Sequence, residues 1–241
     1  MYRDIRKKKL ILESRRPYEA ELNAEIREID LIDMIYSNFR LSGIRLEKEQ
    51  IKAIMHGNVI REATIEEHTI VNNYVELYYT MNDMLEMGSG LNMKTLMAFY
   101  SCICDSTEDG YRKTNPIVHE FSYNPPHFKE IEEQMQNLMS ITAREDRDDM
   151  ENELMKAVRF HNRLIAIYPF ENHNEELARI CLWFYMKSKG YPVFFINLSE
   201  QEYNTAIAGY IKTGDFTLMY NGMERSLYNK MEHLYILTSI E

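Results

Sequence analysis

Apolar positions recur three and four residues apart over 20–36 and 46–57, the spacing that places them on one face of a helix. A longer helix is predicted over 63–87 through Ile65, Ile70, Val71, Tyr74, Val75, Tyr78 and Met81, and another runs through Leu91, Leu96 and Phe99 after Gly88 and Gly90. The pattern changes over 107–122. Asp109-Gly110 is a turn signal and Pro116 to Phe121 has β-branched and alternating positions, so a short extended flap is expected there. Helical spacing resumes from Phe128 to about Met139 and again over 148–167, where Leu154, Val158, His161 and Ile165 share a side. Pro169 breaks that helix. A further helix restarts near Asn174, carries Leu177, Ile180, Cys181 and Phe184 inward, and stops at Lys189-Gly190. Final helices are predicted near 199–213 and 215–238. The fold class expected is all-α with a short β-hairpin flap.

With 45% hydrophobic and 27% charged residues, 241 residues are enough for one compact core with a helical extension. No apolar stretch approaches the roughly 20 residues of a membrane span and the N-terminus lacks the apolar run of a secretory signal, so no membrane partner and a cytoplasmic location are expected. The net charge of −10 disfavours a nucleic-acid partner. The one basic run, Arg6 to Lys9 with Arg15 and Arg16 nearby, reads as a solvated terminal segment. Three cysteines without a CxxC pair supply neither a disulfide framework nor a structural zinc site and read as small core residues. The sixteen methionines are scattered, as adaptable core filling.

The segment with the most chemistry is the loop after the 148–167 helix. A helix, a proline loop and a second helix with a polar first turn can hold an anion at the second helix's N-terminus. Here it reads Tyr168-Pro-Phe-Glu-Asn-His-Asn-Glu-Glu-Leu-Ala-Arg179. This resembles, in register and without gaps, the H-P-F-x-[DE]-G-N-G-R-x-x-R signature of the Fic (Fido-domain) family. The flanks are similar too: His161 to Ile167 looks like the family's H-x-x-L-x-x-I lead-in, and Gly190-Tyr-Pro192 like its G-Y-P. Asp109-Gly110-Tyr111-Arg112 resembles the lead into a target-aligning flap, Tyr123-Asn-Pro-Pro126 the proline pair beyond it, and Asn72-Asn73-Tyr74-Val75 an upstream N-Y-V. The resemblance spans about 37–225. It implies an N-terminal helical region over 1–87, a Fic-like core over 88–225 and a C-terminal helix end over 226–241.

In active members, the resemblance implies, the signature histidine takes a proton from a target hydroxyl that attacks the α-phosphate of ATP. The acidic residue holds Mg²⁺, the G-N-G backbone forms an anion hole and the arginines hold the outer phosphates. This sequence departs at most of those positions. Tyr168 stands where the base belongs, and a phenol with an ordinary pKa of about 10 is ionised to only about one part in a thousand at neutral pH. Asn172 stands at the metal position, where a neutral amide is a weaker magnesium ligand than a carboxylate; Glu171 beside it points elsewhere. His173 and Glu175 replace the two glycines and put side chains where phosphates would lie. Asn174 is retained. Glu176 replaces the first arginine and sets a like charge against a polyphosphate. Arg179 matches the last position and reads either as a phosphate ligand or as an ordinary helix-bridging arginine.

A second resemblance concerns the family's inhibitory helix, [ST]-x-x-x-E-[GN]. Ser37 to Ser42 fits it with Leu41 in place of the glutamate, so both halves of the inhibitory pair, Leu41 and Glu176, have changed together. His161 reads as a core residue and His173 as a solvated loop residue. His173, Glu175 and Glu176 lack the i, i+4 pairing of a helical metal site, so no metal is expected. The leading expectation is a catalytically inactive Fic-family protein that needs no cofactor and binds a protein partner through the flap, including Gly110, Tyr111 and Arg112, and the vacated cleft. A transferase of altered chemistry, using Mg²⁺ and ATP with Tyr168 as acceptor or base, and a purely structural helical domain are the alternatives. Self-association is left open.

Overall fold

The computed structural model describes residues 1–104, 110–143 and 152–239. Among them are ten α-helices: α1 Tyr2–Ser14, α2 Ala20–Leu41, α3 Lys48–Met55, α4 Ile65–Glu86, α5 Met93–Ile103, α6 Ile131–Ala143, α7 Glu153–Ile167, α8 Asn174–Ser188, α9 Glu200–Thr213 and α10 Thr217–Leu237. The starts follow from local chemistry. Thr64 with Glu67, Asn92 with Thr95 and Ser199 with Glu202 form reciprocal capping boxes at α4, α5 and α9. Gly190, at φ 81°, follows the end of α8 as expected.

The core is built on α7 and α8, which pack on each other. From Leu177 to Phe184 every side chain of α8 is fully buried, Arg179 included, which is what a helix apolar nearly all round requires. α4 and α5 cover α8, while α6, α9 and α10 pack on α7. Trp183 is inside this core, its indole N–H donating to the Phe194 carbonyl at 3.0 Å.

Two expectations need correction. The basic N-terminal run is not a solvated segment: it forms α1, which packs on α10 with Ile5 and Leu12 buried. Lys8 pairs with Glu232 at 2.8 Å, and Arg15 donates to the Tyr235 carbonyl at 2.8 Å and to Thr238 Oγ1 at 2.7 Å. The basic residues occupy the flanks of an amphipathic helix whose two buried apolar residues, Ile5 and Leu12, stand seven apart. The flap contains no strand among the described residues. Val118 and Tyr123 form a single antiparallel bridge with both backbone hydrogen bonds, 2.8 and 3.1 Å, closed by a 3₁₀ turn at His119–Phe121. Pro116 upstream and Pro125-Pro126 downstream leave no N–H groups to extend the ladder. Residues 107–109, with Asp109, and 148–151 of the expected α7 lie outside the described residues.

Candidate functional site

The loop between α7 and α8 is held from below. Tyr168 ends α7 in the left-handed region, φ 49°, ahead of Pro169. Arg112, buried, fixes the turn: its Nε donates to the Tyr168 carbonyl at 2.7 Å, its other nitrogens to the carbonyls of Thr114 and Pro126 at 2.5 and 2.6 Å, and its backbone N–H to the Pro169 carbonyl at 2.9 Å. Phe170 is fully buried and stacks on Tyr100, centroids 3.9 Å apart, with Tyr111 tilted against it at 5.7 Å. Asn174 closes the loop like a staple. Its Oδ1 accepts from the Phe170 N–H and its Nδ2 donates to the Phe170 carbonyl, both at 2.9 Å.

Arg179 lies one turn deeper, fully buried. Its Nε donates to Asn38 Oδ1 at 2.7 Å, Nη1 to the Tyr203 hydroxyl at 3.3 Å and Nη2 to Ser42 Oγ at 3.4 Å, so it ties α8 to α2 and α9. Beyond it the Tyr203 hydroxyl meets His161 Nε2 at 2.6 Å, and His161 Nδ1 meets Asn162 Oδ1 at 2.8 Å. The Asn162 oxygen can only accept, so Nδ1 carries the proton and Nε2 accepts from Tyr203, a neutral tautomer. Burial, reinforced by Arg179 and only partly opposed by Asn162, lowers the His161 pKa to about 3.

Above this base lies an open cavity of about 530 Å³ lined by Tyr168, Asn172, His173, Asn174, Glu175 and Glu176 of the loop, and also by Leu41, Ser42, Glu120, Glu200 and Asn204. The expected residues therefore divide. The structure brings Tyr168, Asn172, Asn174 and Leu41 to one cleft, with α2 ending at its edge. Arg179 sits beneath the loop, not on the surface. Ser37 is buried away from the cleft, donating to the Asp33 carbonyl at 2.6 Å and accepting from the Ile196 N–H at 2.9 Å. Of the flap residues, Gly110 is exposed at φ 127°, Tyr111 is half-buried and Arg112 serves the loop. Glu120, Glu200 and Asn204 were not identified from sequence. They come from the flap turn and from α9, and no local motif marks them.

Four glutamates thus face a space expected to take phosphates. Burial, with Glu120 and Glu176 adding to it against Arg179, raises the pKa of Glu175. Burial also opposes ionisation of Glu176, but the hydrogen bond from His173, then Arg179, outweighs it and holds that pKa below the usual carboxylate value. His173 is the αL N-cap of α8, φ 63°, a conformation glycine adopts more easily. The Tyr168 phenol is pushed up by burial and by Glu175 and Glu120, the opposite of what a base requires. Among the described residues no group of three or more His, Cys, Asp or Glu is arranged to hold a metal. Asn172 is exposed, and Glu171 is turned to the flap, accepting from Thr114 Oγ1 at 3.1 Å, so these residues do not fit a bound magnesium.

A proline-broken helix pair at the centre of an all-helical bundle, with a short flap on its connecting loop and a helix end closing the opposite edge, defines a Fic-type fold. Residues 90–186 match the Fic/DOC family. A Fic-domain-containing signalling protein from Bacteroides thetaiotaomicron is similar over 98% of this chain and 98% of its own, with TM-score 0.82 and 18% identity. Fic-1 from C. elegans is similar over 97% of this chain and 70% of its own, with TM-score 0.81 and 16% identity. A Fic family protein from Desulfovibrio desulfuricans gives 0.71 and 16% over 95% and 74%. No curated protein matches the chain. The match covers residues 90–186, and the fold of the described residues is the one these Fic-domain structures share.

Proposed function

We propose that this Fic domain does not transfer AMP from ATP and acts instead as a binding module for a protein partner, with the acidic cleft and the flap as its contact surface. The observation that carries this reading is the division of the signature. Phe170, Asn174 and Arg179, which match the family pattern, hold the loop in shape. Tyr168, Asn172, His173, Glu175 and Glu176, which depart from it, all line the cleft. The scaffold has been kept and the surface that would touch nucleotide has been replaced. A phosphate brought within about 4 Å of an ionised glutamate meets a repulsion of about 4 kcal/mol at an effective dielectric near 20, roughly a thousandfold in affinity. The same charge favours a basic segment of a partner protein. A cytoplasmic setting fits this role, and no described helix is long and apolar enough to cross a membrane.

The test is calorimetric titration with ATP, with and without Mg²⁺, of the natural protein and of a revertant carrying Tyr168→His, Asn172→Asp, His173→Gly, Glu175→Gly and Glu176→Arg. The expected result is a magnesium-dependent heat in the revertant alone. Magnesium-dependent binding at micromolar affinity by the natural protein, or AMP transfer from it, would overturn the reading.

A further inference from the structure

A second concave space shares no lining residue with the acidic cleft. It is a cavity of about 670 Å³ bounded by α1, α2, α4, the end of α8 and α10. That volume is within the roughly 300–1,000 Å³ of small-molecule sites. Its charge runs against the chain as a whole. Lys9, Arg16, Arg27 and Lys187 line it, against Glu13 and Asp30, in a protein of net charge −10. Both acids are engaged: Glu13 with Lys9 at 3.5 Å, and Asp30 with Lys230 at 2.9 Å and Lys187 at 3.7 Å. Arg16 and Arg27 have no carboxylate of the described residues within ion-pair distance.

Three of the four cations, the two paired lysines among them, also lie over aromatic rings of the same cavity. Lys9 Nζ is 5.0 Å from the Tyr191 centroid, Lys187 Nζ 4.9 Å from Tyr78, and the Arg16 guanidinium 5.8 Å from Tyr18. The cations also converge. Burial, then the neighbouring charges of Lys230 and Arg16, depress the Lys187 pKa in spite of Asp30. Gly190 leaves room for the Lys9 side chain in the cavity wall, since a Cβ there would meet the Lys9 Cε at 2.9 Å. A cavity with surplus, ring-backed positive charge beside Leu12, Ile26 and Met231 suits a ligand that is anionic at one end and flat and apolar at the other.

We infer that this cavity is a second binding site, distinct from the Fic loop, for a small phosphorylated molecule bearing an aromatic ring, the mononucleotide class being the simplest that fits. Arg16 and Arg27 hold the phosphate at the rim, with Lys187 behind them, while the ring enters among Tyr18, Tyr78 and Tyr191.

The experiment titrates the full chain, in EDTA so that no magnesium-dependent site contributes, with AMP, adenosine and inorganic phosphate separately, and repeats the AMP titration with Arg16→Gln/Arg27→Gln. Both arginines are exposed and without carboxylate partners among the described residues, so the variant is expected to keep the fold, checked by an unchanged melting curve. AMP is expected to bind at least tenfold more tightly than either fragment, to weaken at higher salt, and to lose at least tenfold in the double variant. No AMP binding at millimolar concentration, equal binding of phosphate and AMP, or an unchanged affinity in the variant would each overturn the assignment.

Discussion

His161 holds a proton inventory that acid should expose. It is fully buried and neutral, accepting from Tyr203 and donating to Asn162, and its folded pKa lies near 3 against an ordinary 6.5. Between those values the unfolded chain binds a proton that the folded chain refuses. Stability from this residue is therefore complete above about 6.5 and falls as the pH drops towards 3, by about 1.4 kcal/mol per pH unit. Urea unfolding between pH 6.5 and 4.5 should show a steeper acid limb in the natural protein than in His161→Gln, which can still accept from Tyr203 but does not titrate. Equal slopes would mean that His161 protonates in the folded state. Much of this residue-scale chemistry was legible beforehand. His161 read correctly as core, and the proline break ahead of α8 was placed from the sequence. Arg179 stayed ambiguous because its partners, Asn38, Ser42 and Tyr203, lie 24 to 141 residues away and share no pattern with it.

Helices were read well wherever a cap and an apolar stripe agreed, as at Thr64 for α4 and Ser199 for α9. α1 was missed because neither signal is strong: Met1 offers no side-chain cap and basic residues dominate its turns. What seats it is tertiary, above all Ile5, fully buried, while Leu10 on the same helix is 66% exposed. Ile5→Ala should accordingly cost about 2–4 kcal/mol, and Leu10→Ala should change stability by less than about 0.5 kcal/mol. Chemical denaturation of the two variants makes the comparison within one element. Similar, small effects would return α1 to the solvated segment that its charge suggests. The flap illustrates the converse. Its alternating residues signal extension, but prolines on both sides limit it to one bridge, a limit that alternation alone does not show.

Across the whole molecule, α2 is the element on which both faces depend: its C-terminal end supplies Leu41 and Ser42 to the acidic cleft and its middle supplies Arg27 to the basic cavity. It is locked to the bundle by charge. Lys230 of α10, buried, lies 2.9 Å from Asp30 Oδ1 and 3.0 Å from Asp33 Oδ2, while Lys48 of α3 reaches Asp33 at 2.8 Å and Lys187 of α8 reaches Asp30 at 3.7 Å. Burial opposes the charge on Lys230, but the two carboxylates outweigh it and raise its pKa, so it stays charged at neutral pH. A network of this kind contributes little net attraction once desolvation is subtracted, yet removing one member strands the others. Lys230→Met leaves two buried acids sharing only the outer lysines and should cost about 3–5 kcal/mol, a fall of roughly 6–20 °C in Tm for a chain of this size. The exposed Asp4–Lys7 pair, 4.0 Å apart, is the control: Lys7→Ala should leave Tm within about 1 °C. If Lys230→Met also melted unchanged, the apolar contacts of α2 would suffice to place it, and neither the cleft edge nor the cavity rim would need its charges for their geometry.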